Sequence, residues 1–342
     1  VIGVARWFDR YYGPDLVVGR PQEAQRTLEE KLGIPAGQHM RMTTHGGGFD
    51  VAYLQVNEDF GLSASCIQLM GIRPLARDEP HDETGHMLRA MLLAYITAQR
   101  MDRPIITHVQ ALSAPTEDDV KTIIELLRSR GVPHIALMKN VYIGLVEEDG
   151  RIHYDPSADA GTCLEWASTV QSDFPGFVLP PSLPENPEVA DLKPGTMVGP
   201  VARTQIVKSA AAVIDRFRWM LDWPEEGDIG YVEGDGQRSI ILKPGNRLSA
   251  VWEFIEPTRP DSRAGKTLDR YGEGPWTIRI GVSGLDAKLG DLESRGTRWK
   301  DIDDGPDGVR RVALNRWDIH GIPIELEEMP VVYRGAGQGR TA

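Results

Sequence analysis

Four short apolar runs carry a polar residue at their centre: SCIQLMG (65–71), TCLEWAS (162–168), AVWEFIE (250–256) and IPIELEE (322–328). Gln68, Glu165, Glu253 and Glu325 stand where flanking residues such as Leu164, Trp166, Trp252 and Phe254 call for a dry strand. A buried carboxylate without compensation costs several kcal/mol, about 2–7 even for an uncharged polar group. A chain with this pattern must turn one face of each such strand toward a polar cavity, or hold something there. Recurrence at four places also points to an internal repeat.

The segments preceding these runs repeat as well. DLVVGRPQEAQRTLEEKLGIP (15–35), HVQALSAPTEDDVKTIIELLRSRGVP (108–133), TQIVKSAAAVIDRFRWMLDWP (204–224) and TIRIGVSGLDAKLGDLESRGTRW (277–299) each read as a strand passing into an amphipathic helix. Val120, Ile123, Ile124 and Leu127, and Val213, Phe217, Met220 and Leu221, fall on one helical stripe. Thr116, Ser209 and Ser283 are candidate caps at the helix starts, and Gly33, Gly131 and Gly296 close the helices. Glycine-jointed strand runs follow, the last carrying the Gln or Glu, so each unit reads β-α-β-β-β. The expected fold is α+β, with four tandem units paired into two curled-sheet half-barrels. The amino-terminal pair covers 1–173 and carries a helical insertion at 76–102. The proline-rich stretch 174–200 reads as a linker, 201–330 as the carboxyl-terminal pair and 331–342 as a tail.

Composition narrows the function. The 342 residues exceed the usual size of one core. A formal net charge of −12 argues against nucleic acid and anionic lipid as partners. No apolar run approaches the roughly 20 residues of a membrane span. The amino end lacks the pattern of a signal peptide. Two cysteines, Cys66 and Cys163, do not make a disulfide framework, and a reduced cytoplasmic setting is expected. Each precedes Gln68 or Glu165 by two residues and so shares its strand face.

Tandem β-α-β-β-β units with a carboxylate or amide in the last strand resemble the vicinal oxygen chelate superfamily, which includes glyoxalase I, extradiol dioxygenases, methylmalonyl-CoA epimerase and the bleomycin and fosfomycin resistance proteins. IRIGVSGLDAKLGDLESRGTRW followed by HGIPIELEE is the most similar stretch. The resemblance implies a divalent metal held by a His in the first strand and a Glu or Gln in the last strand of paired units. Matched position by position, it gives His108, Glu165 and Gln68 as metal ligands. The first-strand place of the first unit falls near Gly13, without a His. In the carboxyl half the matched places are Arg203, Glu253, Thr277 and Glu325. Arg203 there would repel a cation and could instead pair with Glu253 or Glu325, which makes that half the structural one.

An imidazole and a carboxylate in a cavity suit Fe, Mn, Zn or Ni. The resemblance thus implies a metal-dependent isomerase or lyase acting on a small oxygenated substrate, aromatic ones included, chelated through neighbouring oxygens. Glu165 would be ligand and base, with His153 and Tyr154 of GRIHYDPS as further acid–base candidates. A ring-cleaving dioxygenase is an alternative, requiring a second His from His45 or His153. A metal-free binding protein that sequesters a small molecule is another. His81 and His86 fall on or near the inserted helix, where they could belong to a lid, and are expected at the surface. The expected assembly is a monomer or homodimer.

Overall fold

The computed structural model of the chain describes residues 14–34, 48–57, 66–75, 83–99, 107–109, 112–114, 117–137, 140–168, 192–234, 236–243, 250–302 and 308–329. The amino-terminal half contains β1 (Asp15–Val17), α1 (Pro21–Leu32), β2 (Phe49–Gln55), β3 (Cys66–Ile72), α2 (Glu83–Ala98), β4 (Thr107–Val109), β5 (Leu112–Ala114) and α3 (Glu117–Ser129). It continues through β6 (His134–Leu137), β7 (Asn140–Ile143), the hairpin of β8 (Leu145–Glu148) and β9 (Arg151–Tyr154), and β10 (Glu165–Ser168). Two sheets result, ordered β2-β3-β1-β4 and β5-β10-β7-β6. β3 runs parallel to β1, and β10 parallel to β5.

The carboxyl-terminal half contains β11 (Thr196–Ile206), α4 (Ala210–Leu221), β12 (Ile229–Gly234), β13 (Gln237–Leu242), β14 (Val251–Pro257) and α5 (Arg263–Tyr271). Then follow β15 (Gly274–Ser283), α6 (Leu285–Ser294), β16 (Trp299–Ile302), β17 (Arg311–Leu314) and β18 (Ile324–Glu328). All eight strands join one sheet, ordered β12-β13-β14-β11-β15-β18-β17-β16. Three register shifts between the central strands β11 and β15 bend it. The protein is therefore α+β with curled sheets. β11 begins at Thr196, inside the stretch expected to be linker, because 196–206 is one continuous strand along β15.

Strand alternation gives every sheet a helix-facing side and an inner side. Leu16, Ile67 and Leu69 pack with Leu28 and Leu32 of α1, in a core that also takes Leu289 and Leu292 of α6 with Ile280 and Leu326. Ile123 and Leu127 of α3 share a second core with Phe217 and Leu221 of α4, Trp166 and Trp252. The two halves thus meet helix to helix, and both large cores are built across that boundary. The carbonyls left open at the end of α1 are met from the other half: Lys288 Nζ donates to Leu32 O (2.5 Å), Thr297 Oγ1 to Lys31 O (2.9 Å) and Arg295 Nη1 to Glu30 O (3.2 Å). Where α3 and α4 end, Arg130 Nη2 lies 2.7 Å from both carboxylate oxygens of Asp222.

The inner faces therefore point away from this joint, and each is covered by a helix. The insertion 76–102 contains α2, whose Leu88, Met91, Leu92 and Tyr95 are buried against Val51, Tyr53, Met70, Tyr142 and Cys163. The extra helix expected in this insertion is thus an inner plug; its His86, expected at the surface, is half-buried, and His81 lies outside the described residues. α5 takes the matching place between β14 and β15, burying Ala264 against Ile206 and Ile255.

Candidate functional site

Cross-strand register assembles a polar cluster on the inner face of the amino-terminal half. Asp15 pairs with Gln68, Gln68 with Tyr53, and Glu165 with Tyr142. Asp15, Tyr53, Tyr142 and Glu165 are all buried. Burial lifts the Glu165 carboxyl to about 8, and the nearby charge of Asp15 adds to it; hydrogen bonds from Tyr142 and Asn140 oppose the rise. Asn140 Nδ2 donates to Glu165 Oε1 at 2.7 Å. Asp15 is itself raised to about 7 by burial, against the pull of Arg203. Tyr53 and Tyr142 are held well above their ordinary value, by burial first and then by the neighbouring acidic groups, Asp15 and Glu165 among them. Two carboxyls and two phenols thus share one buried face with an amide.

Asp15 is the member the sequence reading missed. The first-strand place of that unit is Asp15, alongside Gln68, and not the region of Gly13. His108 lies in β4, whose backbone pairs antiparallel with β1 through Leu16↔Thr107 and Asp15↔Val109. β5, not β4, runs beside β10, with Leu112 opposite Trp166, so His108 is not the strand neighbour of Glu165. The His108 side chain lies outside the described residues, as do His39 and His45. Among the described residues, no group of three or more His, Cys, Asp or Glu is placed to hold a metal ion. The oxygen donors of Asp15, Gln68 and Glu165 nonetheless suit a divalent cation chemically, because two carboxylates and an amide oxygen are an all-oxygen set of the kind that takes Mg, Ca or Mn, whereas Fe, Zn or Ni calls for an added imidazole.

The other acid–base candidates have different surroundings. Tyr154 turns inward; its hydroxyl donates to Asp159 Oδ1 at 2.5 Å and accepts from the Cys163 amide at 3.1 Å. It braces the loop leading into β10. His153, one residue earlier, takes the opposite face of the β8–β9 hairpin and is exposed. The second imidazole of a ring-cleaving site therefore has no support from His153 in this position.

The carboxyl-terminal half answers the same strand pattern differently. Thr204 stands opposite Glu253, and Arg279 opposite Glu325. The first-strand places are Thr204 and Arg279, shifted from the expected Arg203 and Thr277. Arg203 alternates to the helix-facing side, and the expected ion pair to Glu253 or Glu325 is made by Arg279 instead. Arg279 Nη1 lies 2.6 Å from Glu253 Oε2, and Nε lies 3.3 Å from Glu325 Oε2. Arg263 of α5 lies 2.6 Å from Glu325 Oε1, and Arg311 2.8 Å from Glu327 Oε2. Burial alone would lower the pKa of Arg279, but Glu253, Glu325 and Glu327 more than reverse it. Three guanidiniums face three carboxylates here, and the space between Glu253 and Glu325 already holds a cation. These residues do not fit a metal.

No protein-family profile matches the sequence, and no curated protein matches it significantly. Solved structures do resemble it. Methylmalonyl-CoA epimerase from Mycobacterium tuberculosis is 25% identical over 40% of this chain and 91% of its own, with a TM-score of 0.35. A variant of the Streptomyces coelicolor methylmalonyl-CoA epimerase, in complex with 2-nitronate-propionyl-CoA, is 25% identical over 38% of this chain and 95% of its own, with a TM-score of 0.33. A mutant 4-hydroxymandelate synthase from Streptomyces coelicolor is 14% identical, covers 97% of this chain and 94% of its own, and reaches a TM-score of 0.52. The last likeness spans nearly the whole chain and shows a shared fold. Among the described residues, no helix is long and apolar enough to cross a membrane.

Proposed function

We propose, for a chain that has the fold of the vicinal oxygen chelate superfamily, that the amino-terminal inner face is a metal-assisted proton-transfer site of an isomerase or lyase. The four β-α-β-β-β units are read as two pairs, the first working and the second structural. The observation that carries this reading is the convergence of Asp15, Gln68 and Glu165 from three strands of two sheets onto one buried face.

Asp15, Gln68 and Glu165 would hold the ion, with His108 of the neighbouring β4 as the imidazole donor. A bound divalent metal supplies Lewis-acid polarisation of a substrate carbonyl or enolate oxygen. The chain's own residues then do the rest. Asn140, 2.7 Å from Glu165 Oε1, and the Tyr142 hydroxyl fix the orientation of that carboxylate. Glu165 would take a proton from the carbon next to the substrate carbonyl and return it. The buried phenols of Tyr53 and Tyr142 keep their protons at neutral pH, and that of Tyr142 is hydrogen-bonded to Glu165. α2 excludes water from the site, and substrate entry requires its displacement.

The test is exchange of carbon-bound hydrogen in D2O. Protein loaded separately with Mn²⁺, Zn²⁺, Ni²⁺ and, without air, Fe²⁺ is incubated with 2-hydroxy ketones, 2-oxo acids and acyl thioesters and followed by NMR. Exchange at the carbon beside the carbonyl is expected with at least one metal, falling about 100-fold or more in Glu165→Gln. Exchange that survives Glu165→Gln would overturn the assignment.

A further inference from the structure

A second binding site lies in the half that does not fit a metal. A cavity of about 480 Å³ opens between α5 and the strands β15–β18. Arg263, Thr267 and Tyr271, four residues apart on α5, form one wall. Trp276, Trp299 and Trp317 supply the aromatic surface, and Glu325 lies at the inner end. Four cationic residues line it, namely Arg263, Arg298, Lys300 and Arg316, against the single acid Glu325. That is a net positive pocket in a chain of net charge −12.

Pairing separates those cations. Arg263 is committed to Glu325 at 2.6 Å, and Arg298 reaches both oxygens of Asp318 at 2.7 and 3.0 Å. Lys300 and Arg316 make no ion pair among the described residues. The Arg316 guanidinium lies 4.6 Å over the ring of Trp317, which is 74% exposed, an unusual state for so large an apolar surface. The volume is that of a drug-sized ligand. Tryptophan faces favour a flat ring, and two cations without a carboxylate partner among the described residues favour a negative group at its edge.

We infer that this pocket binds a planar aromatic anion, without a metal. The ring lies against the tryptophans, and its anionic group is held by Lys300 and Arg316. At the inner end Arg263 is already paired with Glu325, so the anion stays at the mouth.

The experiment is calorimetric titration of the full chain, in chelator, with 2-naphthoate, 2-naphthamide and cyclohexanecarboxylate. Naphthoate is expected to bind one to one, about tenfold or more tighter than either analogue, since one lacks the charge and the other the ring. Lys300→Gln/Arg316→Gln and Trp317→Ala are each expected to weaken it by about tenfold. All three side chains are partly or fully exposed, and thermal unfolding of the variants checks that the fold is kept. No heat with naphthoate, equal binding of naphthamide, or undiminished binding in the double variant would each overturn the inference.

Discussion

Arg279 and Glu253 stand 2.6 Å apart, reaching each other across the inner face from β15 and β14 with β11 between them, and both side chains are almost wholly buried. Arg279 also reaches Glu325, the corresponding residue of the other unit. A guanidinium thus occupies the position between two facing carboxylates that a divalent ion would require. The amino-terminal half places Asp15 and Glu165 on the equivalent face, where burial keeps both carboxyls raised. The difference supports the proposed division into a working and a structural half.

Removing the guanidinium should be costly. Arg279→Met strands Glu253 in a buried setting, and breaking a buried pair costs about 3–5 kcal/mol. Denaturant unfolding checks this. Adding Glu253→Gln to the variant is expected to recover part of the loss, since the stranded charge goes with it.

The joint between the halves gives a second expectation. Phe217 of α4 is fully buried, with ring centroids 5.5 Å from Trp252 and 5.9 Å from Phe254, in a core that includes Ile123 and Trp166 of the other half. Phe217→Ala should cost about 3–5 kcal/mol. Because the core spans both halves, fluorescence and circular dichroism should report one coincident transition, shifted as a whole.

Stability should depend on Asp159. Burial lifts its carboxyl from 3.8 to about 6, against hydrogen bonds from Tyr154, Leu164 and Thr162. The folded state therefore holds this proton more tightly than the unfolded state. The contribution is fully present below pH 3.8 and is lost as pH rises through about 6. At about 1.4 kcal/mol per unit, the stability of the protein relative to Asp159→Asn should fall by about 3 kcal/mol across that window. Urea titrations of both proteins between about pH 3.5 and 6.5 measure it.

Gly33 closes α1 at φ 67°, and a Cβ there would meet the Arg295 guanidinium at 2.7 Å. Gly33→Ala should cost about 1–2 kcal/mol, from the left-handed backbone and the displaced arginine. Thermal unfolding checks it, and Arg295→Ala in the same background should reduce the penalty.

The sequence revealed faces better than partners. Gln68, Glu165, Glu253 and Glu325 were legible because single polar residues interrupt apolar strands, and alternation alone puts them on the inner side. Their strand neighbours were not legible, since alternation does not set register. The reading chose Arg203 and Thr277, whereas the bulged pairing of β11 with β15 brings Thr204 and Arg279 into place. Asp15 escaped notice because β1 has three residues, too few to show a period. α5 escaped because RAGKTLDRY has little apolar stripe, although its caps were visible: Ser262 accepts from the Gly265 amide at 3.0 Å, and Gly272 ends the helix. The insertion 76–102 reads as a helix, but nothing local shows that 83–98 fills the inner face.

Elemental analysis of the purified protein is the most direct measurement. Wild type should carry about one equivalent of Fe, Mn, Zn or Ni, or take it up on titration. Asp15→Asn/Glu165→Gln should lose it, and Glu253→Gln/Glu325→Gln should keep it. Metal absent from the wild type and refused on titration, or lost only in the second variant, would contradict the assignment of chemistry to the amino-terminal half.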